Sequence, residues 1–282
     1  MLWPAQPPFT VREVVVACSA WLKKYGYADR VDEHLLGLVA LEDGYRKAGN
    51  LGTLHSFLMA ERIEQTNHED RAMFEETYGQ AMVDRAPGRR LYDALKALAV
   101  DARCPLCGVQ AVAQVDHHAP KDKFPLFALT PLNLVAVCGI CNQAKSNTFD
   151  QELSRAEIHP YFDDLGAERW LFAHIDGAAG GVAVFQAKPP GTWPLIKAAR
   201  LRRHFTKYHL ADRYRVEAGH ALSIRKRKDT RTLEESGPVE LRGQLLADAG
   251  EYVDYNPNSW QAALVFALAD SSWYLNGGMR DI

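Results

Sequence analysis

The chain contains 282 residues, of which 47% are hydrophobic and 24% charged, a balance that is typical of globular proteins and unlike that of disordered chains. The 33 Lys and Arg residues against 35 Asp and Glu residues give a net charge of −2, so the total charge does not indicate a nucleic-acid-binding protein. No segment approaches the roughly 18 consecutive apolar residues that span a membrane, and the first residues lack the features of a secretion signal. The sequence therefore predicts a soluble, cytoplasmic protein with no membrane partner.

The first stretch of the chain, residues 1–103, is predicted to be helical. Thr10 and Glu13 have the spacing of a capping box at the start of a helix. In such a box, each of the two side chains accepts a hydrogen bond from the backbone N–H of the other residue. The apolar residues that follow recur at intervals of three and four and form one stripe: Val11, Val14, Val15, Cys18, Trp21 and Leu22. We expect Cys18 to be a buried thiol, and we interpret the stretch as a substrate- or partner-binding region.

The last stretch, residues 151–282, is predicted to mix strands and helices, with a short strand at 182–185 and helices at 195–214 and 260–275. Its segment 197–231, predicted as a basic helix, has twelve basic and three acidic residues. That segment carries a net charge of +9 and the rest of the chain carries −11. The run Arg225, Lys226, Arg227 and Lys228 is predicted to contact DNA phosphates; a solvated helix face is the alternative.

Four of the five cysteines form two C-x-x-C pairs, Cys104 with Cys107 and Cys138 with Cys141. Two such pairs can complete a tetrahedron of sulfur ligands around Zn²⁺ with no open position, which is typical of a structural site. Disulfide or redox cysteines are the alternative, which a cytoplasmic location disfavours. The 30 residues between the pairs exceed the roughly 15–20 of a minimal zinc ribbon, so we expect an insertion with its own role.

The residues between and after the pairs carry groups suited to metal-assisted hydrolysis. A strand over 112–115 would deliver Asp116 and His117 at its end, a second strand is predicted over 134–137, and a helix beginning near Cys141 would place Asn142 in its first turn. Carboxylate and amide oxygens are ligands for a hard divalent cation, and an imidazole can take a proton from water near neutral pH.

Residues 104–145 resemble the ββα-metal domain of HNH endonucleases. The pattern D-H-x-x-P of that family is met by Asp116, His117 and Pro120, and its central N-L by Asn133 and Leu134. The ending C-x-x-C-N-x-x-K is met by Cys138, Cys141, Asn142 and Lys145. The resemblance implies an α+β protein in which residues 104–150 form a ββα-metal nuclease core stapled by the four-cysteine zinc site, with a helical region before it and a mixed α/β region after it.

The resemblance also implies roles for individual residues. Asp116 and Asn142 would hold Mg²⁺ or Mn²⁺, His117 would be the general base, Asn133 would orient the loop or the base, and Lys145 would contact phosphate. Two departures from the family pattern matter. Asn142 stands where the family name has its last histidine, and His118 follows His117 directly, as in a toxin branch of the family, so His118 is the second candidate for the base.

The expected activity is metal-dependent hydrolysis of phosphodiester bonds in DNA, in a bacterial anti-phage or restriction system. The chain has no G-x-x-x-x-G-K-[ST] motif, so an ATPase partner, encoded nearby, would act in trans. One alternative is a catalytically inactive zinc module that binds nucleic acid or protein. Another is a toxin-like nuclease that is active only with its partner ATPase.

Overall fold

The computed structural model describes residues 3–61, 67–165 and 167–281. They form two compact units, one within residues 2–164 and the other within residues 165–282. The boundary therefore falls after residue 164, and the helical region 1–103 belongs to the same unit as the cysteine segment. This division differs from the predicted boundaries at 103 and 150, because helices of the first unit share a buried core with the two strands near the cysteines. Among the described residues, no helix is both long and apolar enough to cross a membrane.

The first unit begins with five helices. They are α1 (Val11–Lys24), α2 (Ala28–Asn50), α3 (Leu54–Ala60), α4 (His68–Glu76), which continues as a π-helical turn over Thr77–Val83, and α5 (Gly88–Ala97). The predicted capping box is present, since the backbone N–H of Thr10 donates to the Glu13 carboxylate at 2.8 Å. The predicted apolar stripe of α1 is buried in full, and burial raises the pKa of the Cys18 thiol to about 12. Cys18 is therefore a core residue.

Two strands and a helix follow in the first unit: β1 (Gln114–His117), β2 (Leu134–Val137) and α6 (Gly139–Lys145). The strands pair antiparallel, with Asp116 opposite Val135 and His117 opposite Leu134. Strand, loop, strand and helix thus occur in the predicted order.

Helices α1, α2, α4 and α5 share one core with the β1–β2 hairpin, and the buried residues of α3 belong to a second core with the loop between the two strands. Val115 and Leu134 belong to the same buried cluster as the apolar stripe of α1. The outer edge of β1 is also satisfied by the helices, because the Val115 N–H donates to the Tyr92 hydroxyl and the Tyr78 hydroxyl donates to the Val115 carbonyl, both at 3.1 Å. An edge strand left without such partners would expose unpaired backbone groups. The helices therefore complete the fold of the cysteine segment.

The second unit contains an antiparallel hairpin of β3 (Leu171–Asp176) and β4 (Val182–Ala187) together with four helices. The helices are α7 (Leu195–Lys207), α8 (Leu210–Tyr255), α9 (Trp260–Ala269) and α10 (Ser272–Leu275). The residues that the structure describes are thus helix-rich, with two small two-stranded sheets, in agreement with the predicted α+β class. The basic segment 197–231 is divided between α7 and α8, because His209 between them adopts a left-handed conformation with φ 49°.

Helix α8 folds back on itself at Gly237, which has φ 82° and ψ 177° and precedes Pro238. Arg225 and Asp248 would lie about 34 Å apart along a straight helix, yet their side chains form an ion pair at 2.8 Å. The two halves of α8 are therefore antiparallel. A positive φ of this size is readily adopted by glycine and costly for other residues, which explains why the turn is placed there.

Candidate functional site

The four cysteines Cys104, Cys107, Cys138 and Cys141 form a buried cluster, and their Sγ atoms all lie within 4.8 Å of one another. Sulfur ligands at about 2.3 Å from Zn²⁺ stand about 3.8 Å apart in a tetrahedron, so the cluster has the size of a zinc site. Within the described ranges it is the one group of three or more His, Cys, Asp or Glu side chains close enough to share an ion. The predicted cysteine set is therefore brought together and can hold a metal ion.

Each cysteine pair is shaped by its local backbone. In the first pair, the Gly108 N–H donates to the Cys104 carbonyl at 2.8 Å, and Gly108 has φ 68°. In the second pair, Cys138 is the N-cap of α6 and its Sγ accepts from the Cys141 N–H. Hydrogen bonds among the four thiols lower the pKa values of Cys107 and Cys138 and raise those of Cys104 and Cys141. The cluster ties the segment before β1 to the start of α6.

Asp116 on β1 forms an ion pair with Lys145 at the end of α6. The Lys145 Nζ lies 3.0 Å from the Asp116 Oδ2 and donates to the carbonyl oxygen of His117 at 2.7 Å. Burial raises the pKa of Asp116, Lys145 opposes that rise and the Glu157 carboxylate adds to it. The structure thus gives Lys145 a different role from the predicted phosphate contact. Its side chain is 4% exposed. Its ammonium group joins α6 to β1 and offsets the negative charge of Asp116.

Asn142 lies on the same helix, one turn before Lys145, and is partly exposed. Residues three apart share a face of an α-helix. Asn142 therefore lies on the same face of α6 as Lys145, which contacts β1. Asp116 on β1 and Asn142 on α6 thus supply a carboxylate and an amide oxygen from two elements that Lys145 joins. This donor set suits a hard divalent cation, which takes oxygen ligands and retains several waters.

His117 points away from this side of the strand. Its ring is buried, its Nε2 lies 3.0 Å from the Ala128 carbonyl oxygen, and it packs edge-on against Tyr78 with ring centroids 4.3 Å apart. Burial lowers the pKa of His117 to about 3, so the ring is neutral and Nε2 carries the proton that it donates to Ala128. The arrangement does not suit the predicted general base. The cause is the two-residue period of a strand, which sends neighbouring side chains to opposite faces.

His118 follows directly after β1. It is partly exposed, and its backbone N–H donates to the Asn133 carbonyl oxygen at 2.8 Å. Its ring packs against His159 at an interplanar angle of 40°, with centroids 4.1 Å apart. Of the two adjacent histidines, His118 is therefore the more exposed.

Asn133 is fully buried and fastens the loop between β1 and β2. Its Oδ1 accepts from the Ala119 N–H at 2.7 Å, and its Nδ2 donates to the Ala119 and Phe127 carbonyl oxygens at 3.0 and 3.1 Å. Bonding both backbone groups of Ala119 fixes the chain directly after His118. Asn133 therefore holds the loop at Ala119 and Phe127.

A buried chain of hydrogen bonds reaches Asn133 from His159. The Tyr161 N–H donates to His159 Nδ1 at 3.2 Å, so the neutral ring carries its proton on Nε2 and donates it to the Tyr45 hydroxyl at 3.1 Å. The Tyr45 hydroxyl in turn donates to Asn133 Oδ1 at 3.1 Å. Sequence reasoning missed His159 and Tyr45 because their contacts with the β1–β2 loop are long-range.

The basic run at 225–228 is divided by the structure. Arg225 is held by Asp229 at 2.9 Å and by Asp248 at 2.8 Å, and 16% of its side chain is exposed. Lys228 lies 3.8 Å from Asp248, whereas Lys226 donates to the Arg280 carbonyl oxygen at 3.0 Å and Arg227 is exposed. Arg225 therefore belongs to the packing of the α8 hairpin, and this charge is compensated within the protein.

No model of a known protein family matches the chain, and no solved structure matches it. The chain is similar to Protein ea31 of Escherichia phage lambda, with 26% identity over 294 residues. The alignment covers 96% of this chain and 98% of the phage protein. The similarity therefore extends over both units, and the name of the phage protein states no activity.

Proposed function

We propose that the protein is a metal-dependent endonuclease of the HNH type that hydrolyses phosphodiester bonds in DNA. The observation that carries this proposal is the Asp116–Lys145 ion pair, which joins β1 to α6 beside the cysteine cluster. It joins the strand that bears Asp116, with His118 directly after it, to the helix that bears Asn142. A carboxylate and an amide can ligate a divalent ion, and an imidazole can accept a proton from water, as metal-assisted hydrolysis requires.

In this proposal, Asp116 and Asn142 hold Mg²⁺ or Mn²⁺. Such an ion, when bound, stabilises the negative charge that develops on the phosphate and on the leaving 3′-oxygen. Lys145 favours the ionised form of Asp116 and fixes the position of its carboxylate through the bond at 3.0 Å. The four cysteines hold Zn²⁺ in a structural site, which contributes folding free energy and no open ligand position.

His118 accepts the proton of the attacking water in place of His117. A positioned base of this kind contributes roughly 10²–10⁴ to the rate. Its backbone N–H donates to the Asn133 carbonyl oxygen, and its ring packs against His159. His159 is a positioning residue, because it contacts the base and is itself held by Tyr45 and by the Tyr161 backbone.

Supercoiled plasmid is the substrate that tests the proposal. Purified protein is incubated with Mg²⁺ or Mn²⁺, and the Asp116→Asn and Asn142→Ala variants are compared with His174→Ala, which alters an exposed histidine of the second unit. We expect nicking by the wild type and by His174→Ala only when the divalent ion is added, and a rate at least about 10²-fold lower in the two site variants. Nicking that survives both site substitutions would overturn the assignment.

The biological setting stays a prediction. A nuclease effector of an anti-phage or restriction system would act beside an ATPase encoded nearby, and the full-length relative in phage lambda supports a setting that involves phages. If the isolated wild type nicks no plasmid, adding the product of a neighbouring gene distinguishes the two alternatives, a partner-dependent nuclease and an inactive zinc module. Restored nicking favours the partner-dependent nuclease, and its absence favours the inactive zinc module.

A further inference from the structure

The second unit contains a cavity of about 600 Å³ whose lining is strongly basic. Its volume lies within the range of roughly 300–1,000 Å³ that is typical of small-ligand sites. Its charged and hydroxyl-bearing walls include residues of the first half of α8 and one residue near the end of the chain: Lys226, Arg227, Thr230, Arg231, Glu234 and Arg280.

The walls of this cavity are held in place by contacts within the unit. The α8 residues recur at intervals of three and four, so they share one face of the helix. On the other side, the turn at 278–281 is anchored by the fully buried Met279, and α10 before it is tied to α8 by the Tyr274 hydroxyl, which donates to Asp229 at 2.6 Å. Gly277 has φ 98°, and a Cβ atom there would lie 2.5 Å from the Arg280 guanidinium. Glycine at this position therefore leaves room for Arg280 at the cavity.

The charge of the cavity is only partly compensated. Glu234 pairs with Arg280 at 3.0 Å, and Lys226 donates to the Arg280 backbone carbonyl. Across residues 3–61, 67–165 and 167–281, neither Arg227 nor Arg231 has an ion-pair partner, and both are exposed. Four cations and one carboxylate thus face one concave surface, two of the cations being exposed guanidinium groups next to the Thr230 hydroxyl.

We infer that this cavity binds a phosphate group, and that its ligand is the sugar-phosphate backbone of nucleic acid. Guanidinium groups form paired hydrogen bonds with phosphate oxygens, and a concave basic surface attracts anions more strongly than a flat one. Free nucleotides share this chemistry and are the other source of a phosphate ligand. The inference goes beyond the proposed nuclease, because binding in the cavity requires no cleavage and no residue of the first unit.

Fluorescence anisotropy with labelled duplex DNA tests the inference. The full-length protein is titrated without added divalent ion at several salt concentrations, so that a failure of the nuclease proposal does not affect the result. The Arg227→Ala/Arg231→Ala double variant is compared with Arg202→Ala/Arg215→Ala, which removes the same charge from exposed positions outside the cavity lining. Both doubles alter exposed side chains, and their thermal unfolding is recorded to show that they fold.

We expect the cavity double to bind DNA at least about tenfold more weakly and its salt slope to fall by about 2, since each phosphate contact contributes about 0.9. The control double should lose less than about threefold. A fluorescent ATP analogue forms the second arm of the experiment. If the cavity double loses affinity for the nucleotide alone, the phosphate site stands and its ligand is a free nucleotide. Equal losses in both doubles, or no loss for either ligand, would overturn the inference.

Discussion

The Lys145 Nζ lies 3.0 Å from the Asp116 Oδ2 and 2.7 Å from the carbonyl oxygen of His117. One ammonium group thus bonds to two successive residues of β1 from the last turn of α6. Because the Asp116 side chain is only 19% exposed, the lysine satisfies backbone and side-chain acceptors that would otherwise be costly to bury. The relative position of strand and helix, and with it the candidate site, depends on this contact.

Replacing Lys145 by methionine is expected to destabilise the first unit by about 3 kcal/mol. The substitution keeps the apolar stem but leaves the Asp116 carboxylate and the His117 carbonyl without their partner, and breaking a buried ion pair from one side is costly. Chemical denaturation measures the change in the free energy of unfolding. The matched control is Lys47→Met, an exposed lysine of α2, for which we expect less than about 0.5 kcal/mol. Equal effects of the two substitutions would contradict the structural role of Lys145.

The pH dependence of stability should report the burial of His117. Its pKa is lowered from 6.5 to about 3 in the folded protein, so below 6.5 the unfolded chain binds a proton that the folded chain does not. The stabilising contribution is therefore complete above 6.5 and is lost as the pH falls toward 3, by about 1.4 kcal/mol for each pH unit.

His117→Gln removes this titration and retains a side-chain N–H for the Ala128 carbonyl. Unfolding free energies measured between pH 4.5 and 6.5 should consequently fall less steeply with acidification in His117→Gln than in the wild type. The exposed His174 provides the control, and His174→Gln should keep the wild-type profile. Parallel profiles for wild type and His117→Gln would show that His117 does not have the buried environment described above.

The local features of the fold were predictable from the sequence. The Thr10 cap, the stripe of α1 and the closeness of the two cysteine pairs depend on spacings of two to four residues, which secondary structure or a single ion converts directly into contacts. The order of β1, β2 and α6 followed from the same kind of pattern. These features of the fold and of the cysteine cluster are common to the sequence analysis and the structure.

The assignments that changed depend on contacts between distant segments. His117 and His118 differ by one position on a strand, and only the packing of Tyr78 and Ala128 decides which of them is buried. The charge pattern predicts Arg225 as a DNA contact, whereas the turn at Gly237 places Asp248 beside it. Tertiary partners of this kind leave no periodic signal in the sequence.

Metal analysis tests the cysteine cluster. Protein purified without chelator should contain one zinc ion per chain, and Cys104→Ser should lose the ion and with it much of the stability of the first unit, since metal-binding energy is also folding energy. Cys18→Ala is the control because Cys18 is buried in the α1 core and lies outside the cluster. It should retain the zinc. A zinc-free wild type would rule out the four-cysteine site.

Arg225 and Arg227 should behave differently despite their proximity. Arg225→Met leaves the buried Asp229 without its guanidinium partner, so we expect a loss of about 3–5 kcal/mol in unfolding free energy and an unchanged salt slope of DNA binding in the folded fraction. Arg227→Met should change stability by less than about 0.5 kcal/mol. Chemical denaturation gives the unfolding free energy of both variants, and fluorescence anisotropy gives the salt slope of their DNA binding. If Arg225→Met were as stable as the wild type, its role in the α8 hairpin would be refuted.

The most direct test of the central claim is the initial rate of plasmid nicking with Mg²⁺, measured for the wild type, His118→Ala and His117→Gln at a pH where all three are folded. The account predicts metal-dependent nicking by the wild type, a loss of roughly 10²–10⁴ in His118→Ala and most of the wild-type rate in His117→Gln. Wild-type rates in His118→Ala, or a large loss confined to His117→Gln, would contradict it.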